Sequence, residues 1–249
     1  MAILRRPAPW TSVTRELSIA AGGGGLYFAS RAVTEGDFDT AYAHARAIVR
    51  VERQLGIFWE SRLQDLVLSH EGLVALANWI YIWVHWPVIL VVGGWLLLRR
   101  PDAYTLYRNA ILVSGGIGLA IFMLFPVAPP RFTDIPIVDT VTLFSKSHLV
   151  LQPHGFVNQF AAVPSLHLGW NLLMGIALAR QAPYLALRVA GALMPAAMWV
   201  AIVLTGNHFI VDGVVGVVVA LIGLRVATRW QRHAVRRAAQ LEAPVTHPA

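Results

Sequence analysis

Long apolar stretches separated by short arginine-marked breaks dominate the chain. Six of them predict helices that cross a bilayer, each crossing needing about 20 apolar residues. They lie at residues 17–32, within 72–98, within 109–126, and at 164–180, 189–205 and 209–228. The first is the weakest, because only residues 17–30 are free of charge. Its run from Gly22 to Gly25 reads as a helix-packing surface rather than a phosphate loop, since no Lys-Ser/Thr follows it. Residues 37–70 follow another pattern. Phe38, Tyr42, Ala45 and Val49 share one helical face, while Arg46, Arg50 and Arg53 fall elsewhere. That segment predicts amphipathic helices lying along the membrane interface between the first two spans. The expectation is a single all-α integral membrane domain over residues 1–249, with a core at about 15–228 and a basic cytoplasmic tail at 229–249.

Composition agrees with this reading: 57% of residues are hydrophobic and 13% charged, against roughly one-quarter charged in soluble domains. Cysteine is absent, which excludes disulfides and thiolate metal sites. The net charge of +7 comes mostly from arginines at span ends, so anionic lipid headgroups explain it better than nucleic acid does. No cleavable signal peptide is expected, because Arg5 and Arg6 are followed by a glycine run without a clear small-residue cleavage site. With six spans, one side of the membrane receives Arg5, Arg6, Arg15, Arg99, Arg100, Arg108, Arg180, Arg188, Arg225, Arg229, Arg232, Arg236 and Arg237, and few acids. The positive-inside rule then places both termini in the cytoplasm, and the cell membrane is the expected location. The loop at 127–163, the stretch beginning at Pro164 and the turn at 205–208 all reach the opposite, outer face.

Two of those outer segments carry the candidate chemistry, Pro164-Ser165-Leu166-His167 and Gly206-Asn207-His208-Phe209-Ile210-Val211-Asp212. The i,i+4 spacing of His208 and Asp212 puts imidazole and carboxylate on one helix face. A charge inside a span costs roughly 2.5–3.5 kcal/mol, so Asp212 calls for a function. Bonded to Asp212 through one ring nitrogen, His208 would keep the other free as a nucleophile toward phosphorus. His167 would protonate the departing oxygen and then activate water or an alcohol. Ser165 at a helix start, Asn207 and the backbone at Gly206 are candidate phosphate donors. Arg131 is the best-placed guanidinium, with Lys146 a further candidate. The competing explanation, a pair of structurally satisfied interface histidines, leaves Asp212 unexplained. Asn78, Tyr81 and His85 share one face of the second span, either as an interhelical polar patch or as a headgroup contact. His44, His70 and His233 read as structural, and His148 and His154 as loop residues. No metal or other cofactor is expected, because His148, His154, His167 and His208 lack a ligand spacing.

Pro-Ser-Leu-His followed by Gly-Asn-His-x-x-x-Asp resembles the second and third signatures of the type 2 phosphatidic acid phosphatase superfamily. Phe125-Pro126-Val127-Ala128-Pro129-Pro130-Arg131, Glu52-Arg53-Gln54-Leu55-Gly56-Ile57 and Asn78-x-x-Tyr81-x-x-x-His85 are similar to its inositol phosphorylceramide synthase branch. The resemblance implies a six-transmembrane-helix bundle of the phosphatidic acid phosphatase type 2 / haloperoxidase-like fold and a metal-independent lipid phosphatase or phosphotransferase. It also implies His208 as nucleophile, Asp212 as its orienting acid and His167 as general acid. The chain departs from the usual signatures at Ala201-Ile202, where Ser-Arg stands, and at Leu166, where Gly stands. The usual first signature is absent, so the phosphate would be held by fewer cations. The expected partners are a lipid phosphate and the bilayer. Headgroup transfer, as in an inositol phosphorylceramide synthase, is the alternative to hydrolysis, and a non-catalytic lipid transporter or scaffold is a third.

Overall fold

A computed structural model describes residues 38–144 and 159–242, together with 14–26 apart from 17, 20 and 24. The described helices are α1 (Phe38–Leu55), α2 (Glu60–Leu68), α3 (Glu71–Trp83), α4 (Trp86–Arg99), α5 (Pro101–Leu124), α6 (Thr140–Phe144), α7 (Leu166–Gln181), α8 (Leu185–Leu204) and α9 (Ile210–Glu242), with a 3-10 turn at Pro130–Phe132. Among the described residues there is no strand, only an isolated bridge between Val127 and Ala161.

Three helices are long and apolar enough to cross a membrane: α5, α8 and the Ile210–Arg237 part of α9. The pair α3 and α4, bent by 44°, makes a fourth. Large apolar side chains on their outer faces, such as Leu90, Leu124, Leu193 and Val218, are exposed, as a lipid-facing surface requires. The chain is a multi-pass membrane protein.

The expected spans differ from the observed helices in ways that follow from local chemistry. The second expected span is broken at Val84 and His85. Pro87 has no N–H to give the Trp83 carbonyl, so the helix cannot run through, and the Asn171 amide donates to the freed Val84 carbonyl instead. The third starts at Pro101 rather than near 109, with proline at its first position and Asp102 in the first turn, both favourable at a helix start. The fourth, α7, has 16 residues, about 24 Å of helix, against a hydrocarbon core of about 30 Å. The sixth continues well past 228, so the basic tail is a helical extension as far as Glu242. Much of the first expected span falls outside the described residues. The helical residues before it are anchored by Glu16, which takes the Arg108 guanidinium and the Tyr104 hydroxyl at 3.0 Å.

The amphipathic stretch after it forms α1 and α2. Ala41, Ala45, Ile48 and Val49 of α1 are buried against Val127, Ala128, Phe160, Val163 and Phe209, so its apolar face covers the start of α9. Gln64 of α2 is also buried, donating to the carbonyls of Val138 (2.8 Å) and Leu204 (2.9 Å). Deeper in the bundle, α7 packs on α8 and α9, and α5 on α9. The α7–α9 crossing is close enough to exclude any side chain: a Cβ on Gly169 would lie 2.7 Å from the Gly216 carbonyl oxygen. Gly216 in turn faces the Ser165 backbone. Because α8 runs back between them, the amino ends of α7 and α9 meet at one end of the bundle.

Candidate active site

The amino end of α9 is built by a tight turn after α8. Gly206 adopts φ +71°, and a Cβ there would also lie 2.8 Å from the Val138 carbonyl oxygen, so only glycine fits. The turn delivers His208, whose Nδ1 lies 2.9 Å from the Ala162 carbonyl oxygen and 3.3 Å from Asp212 Oδ2. A carbonyl oxygen only accepts, so Nδ1 carries the proton and Nε2 keeps its lone pair. Ala162 is held in place because its N–H donates to Val127 O and the Val127 N–H to Phe160 O. Burial pushes the His208 imidazole down to about 3, with the Arg131 charge adding to that and the Ala162 bond opposing it. At neutral pH the ring is the free base.

His167 occupies the first turn of α7, its ring centroid 6.0 Å from that of His208. The ring stacks on Tyr81 (4.5 Å) and on His85 (4.1 Å). Its Nε2 is buried without a hydrogen-bond partner, as is Nδ1 of His85. The break between α3 and α4 is what places His85 there as a third imidazole beside the pair. Asn78 instead ties α3 to α6. Its side-chain amide bonds to Thr140 twice, Nδ2 donating to the backbone O and Oδ1 accepting from Oγ1, each at 2.8 Å.

Arg131 sits on the 3-10 turn, its N–H donating to Gly206 O at 3.1 Å. The guanidinium is held by Asn207 Oδ1 through Nη1 and by Asp139 Oδ2 through Nε at 3.2 Å, and its charge reaches both histidines. Ser165 caps α7, accepting weakly from Leu168 N at 3.5 Å, while its own N–H donates to Asp212 O at 3.0 Å. Two expected phosphate donors are otherwise engaged. The Gly206 N–H donates to Val203 O, and Asn207 Nδ2 donates to Thr205 O and Oγ1. The fold needs the first to close the turn and the second to aim Asn207 at Arg131.

The structure therefore brings His208, Asp212, His167, Arg131, Ser165 and Asn207 together. Lys146, His148 and His154 lie outside the described residues. Among the described residues no group of histidines and acids has a metal-binding arrangement. Two acids to which the sequence assigned no role also reach this point. Ile210 N donates to Glu60 Oε1 at 2.9 Å and Val211 N to Glu52 Oε1 at 2.8 Å, beside Phe209 N, which donates to Asp212 Oδ2 at 2.9 Å. A signal for Glu52 was available: it lies on the buried face of α1 with Ala41, Ala45, Ile48 and Val49, where an acid is out of place.

The family model described as PAP2 superfamily matches residues 46–226. Neither the curated proteins nor the solved structures contain a match to the chain.

Proposed function

The chain belongs to the PAP2 superfamily, and from that membership we propose a membrane enzyme that moves a phosphoryl group from a lipid phosphate to water or an alcohol. The superfamily's phosphatase and phosphotransferase chemistry needs a nucleophile, a proton donor and an anion clamp. The observation that carries the reading is the His208 ring: its Nδ1–H is fixed by Ala162 O and Asp212, leaving Nε2 unprotonated beside a second buried imidazole. In the proposed sequence His208 Nε2 bonds to phosphorus as the bond between phosphorus and the lipid oxygen breaks, and His167 gives its proton to that departing oxygen. His167 then takes a proton from water or an alcohol, whose oxygen displaces His208 from phosphorus. Arg131 neutralises the phosphate oxygens throughout. No step draws on a metal ion.

The topology belongs to the same proposal. We read residues 17–32 and α7 as the two further crossings, giving six. The amino ends of α7 and α9 then open to the outer leaflet, and α1 and α2 lie along that interface. The inositol phosphorylceramide synthase-like reading differs only in the acceptor, and parallel assays of phosphate release and of headgroup transfer to a lipid alcohol separate the two.

The decisive test is trapping. The protein is incubated with a lipid phosphate in the presence of a chelator, quenched at alkaline pH to preserve phosphohistidine, and read by mass spectrometry. Acid-labile phosphate on His208 is expected; phosphate elsewhere, or turnover abolished by the chelator, rejects the mechanism. The same geometry predicts a graded response at Asp212. Loss of the orienting acid in a serine triad costs about 10⁴-fold because the wrong tautomer forms. Here the Ala162 carbonyl fixes the tautomer independently, so Asp212→Asn is expected to lower kcat only about 10²-fold. Steady-state kinetics on the purified variant check this.

A further inference from the structure

Three consecutive backbone N–H groups at the start of α9, those of Phe209, Ile210 and Val211, each donate to a different buried carboxyl: Asp212, Glu60 and Glu52. All three acids are fully buried. A helix amino end offers roughly half a positive charge, too little to offset three negative ones. The second oxygens of Glu52 and Glu60 are buried without a donor, while their first oxygens accept from the adjacent amides of Val211 and Ile210, which brings the two carboxyls side by side. Two ionised carboxylates so placed repel one another, and one proton shared between them removes that repulsion and supplies the missing donor.

We propose that Glu52 and Glu60 form a proton-sharing acid pair that clamps the amino end of α9 and thereby positions His208. The inference rests on the phosphoryl-transfer reading for its activity arm only. Both glutamates reach residues 210 and 211, two and three positions past the histidine, so they set the direction in which the helix leaves the turn. They touch neither reacting imidazole and are positioning residues. The charges acting on Glu52 come from Glu60 of α2 and Asp212 of α9, both acids. The loop beside α1 contributes the apolar Val127 and Ala128, and Arg53 on α1 itself is exposed, over the Phe58 ring at 5.0 Å. Burial, helped by the contact with Glu60, raises the Glu52 carboxyl to about 9. Glu52 thus holds its proton at neutral pH and releases it to solvent in alkali. What then remains is adjacent carboxylates that repel one another and loosen the clamp.

The sign follows directly: the folded state binds the extra proton between the ordinary glutamate value and about 9, so the clamp weakens as pH rises through that upper value. The test uses the full chain in detergent, with infrared titration and pH–rate profiles for wild type, Glu52→Ala, Glu52→Gln and Glu60→Gln. In wild type a protonated-carboxyl band is expected at neutral pH and lost near pH 9, where kcat begins to fall about tenfold per pH unit. Glu52→Ala lowers kcat about tenfold or more. Glu52→Gln still accepts from Val211 and donates to Glu60, so it rescues most of that loss, while the alkaline band and limb disappear. Glu60→Gln removes the same limb from the other side. The proposal is overturned if the band is absent from wild type, if Glu52→Gln keeps the limb, or if it is as impaired as Glu52→Ala. Should wild type turn over no lipid phosphate, the functional reading fails, and the band alone then upholds or overturns the acid pair.

Discussion

His208→Ala is expected to reduce turnover of any lipid phosphate by about 10⁴-fold or more, because in the proposed mechanism it removes the atom from which the phosphoryl group is passed on. The protein should still fold. The ring is hydrogen-bonded to Ala162 O and to Asp212, and leaving those acceptors unpaired costs about 1–3 kcal/mol. Melting temperature and turnover in detergent, measured on the same preparation, separate the two effects. His167→Ala supplies the internal contrast, since loss of a general acid costs about 10²–10⁴-fold. An aryl phosphate with an acidic leaving group needs no proton from His167. It should restore cleavage to His167→Ala and not to His208→Ala. Unchanged function in His208→Ala would favour the non-catalytic scaffold or transporter.

The histidine pair was legible because it depends on spacing that survives any packing: four residues from His208 to Asp212, at the head of an apolar run, and His167 at the head of another. Antiparallel crossings then bring the two heads to one end. The break in the second span was legible in principle, since Pro87 cannot complete the bond to Trp83, but an apolar stretch of that length fits a single crossing equally well. Its consequence, a third imidazole stacked on His167, depends on the bend and so on tertiary structure. Glu60, and the partner of Glu52, lay beyond reach for the same reason. The partners of both acids are amides some 150 residues downstream, so the apolar face of α1 can mark Glu52 as buried but cannot say which helix it caps. Asn207 shows the limit within a motif. Its position beside His208 suggested a phosphate donor, whereas its oxygen holds Arg131 and its nitrogen the Thr205 turn, roles set by the 3-10 turn at Pro130–Phe132.

Arg131 carries the second large expectation. The usual superfamily signatures supply cations that this chain lacks at Ala201-Ile202, so the proposed mechanism puts the charge of a transferring phosphoryl group mainly on one guanidinium. A guanidinium offers five N–H donors; Asp139 takes the one on Nε and Asn207 one on Nη1, which leaves three for phosphate oxygens in a fixed fork. Removing such a group from phosphoryl transfer costs about 10³–10⁵-fold. Arg131→Ala is therefore expected to lose at least about 10³-fold in kcat/KM, with kcat carrying most of it because the charge grows toward the transition state. Arg131→Lys keeps the charge without the fork and should recover only part of the loss. Asn207→Ala leaves the guanidinium present but poorly aimed and should fall between wild type and Arg131→Lys. Kinetics on the three variants with one lipid phosphate decide the matter, and an Arg131→Ala enzyme within a few-fold of wild type would move the anion clamp to another cation.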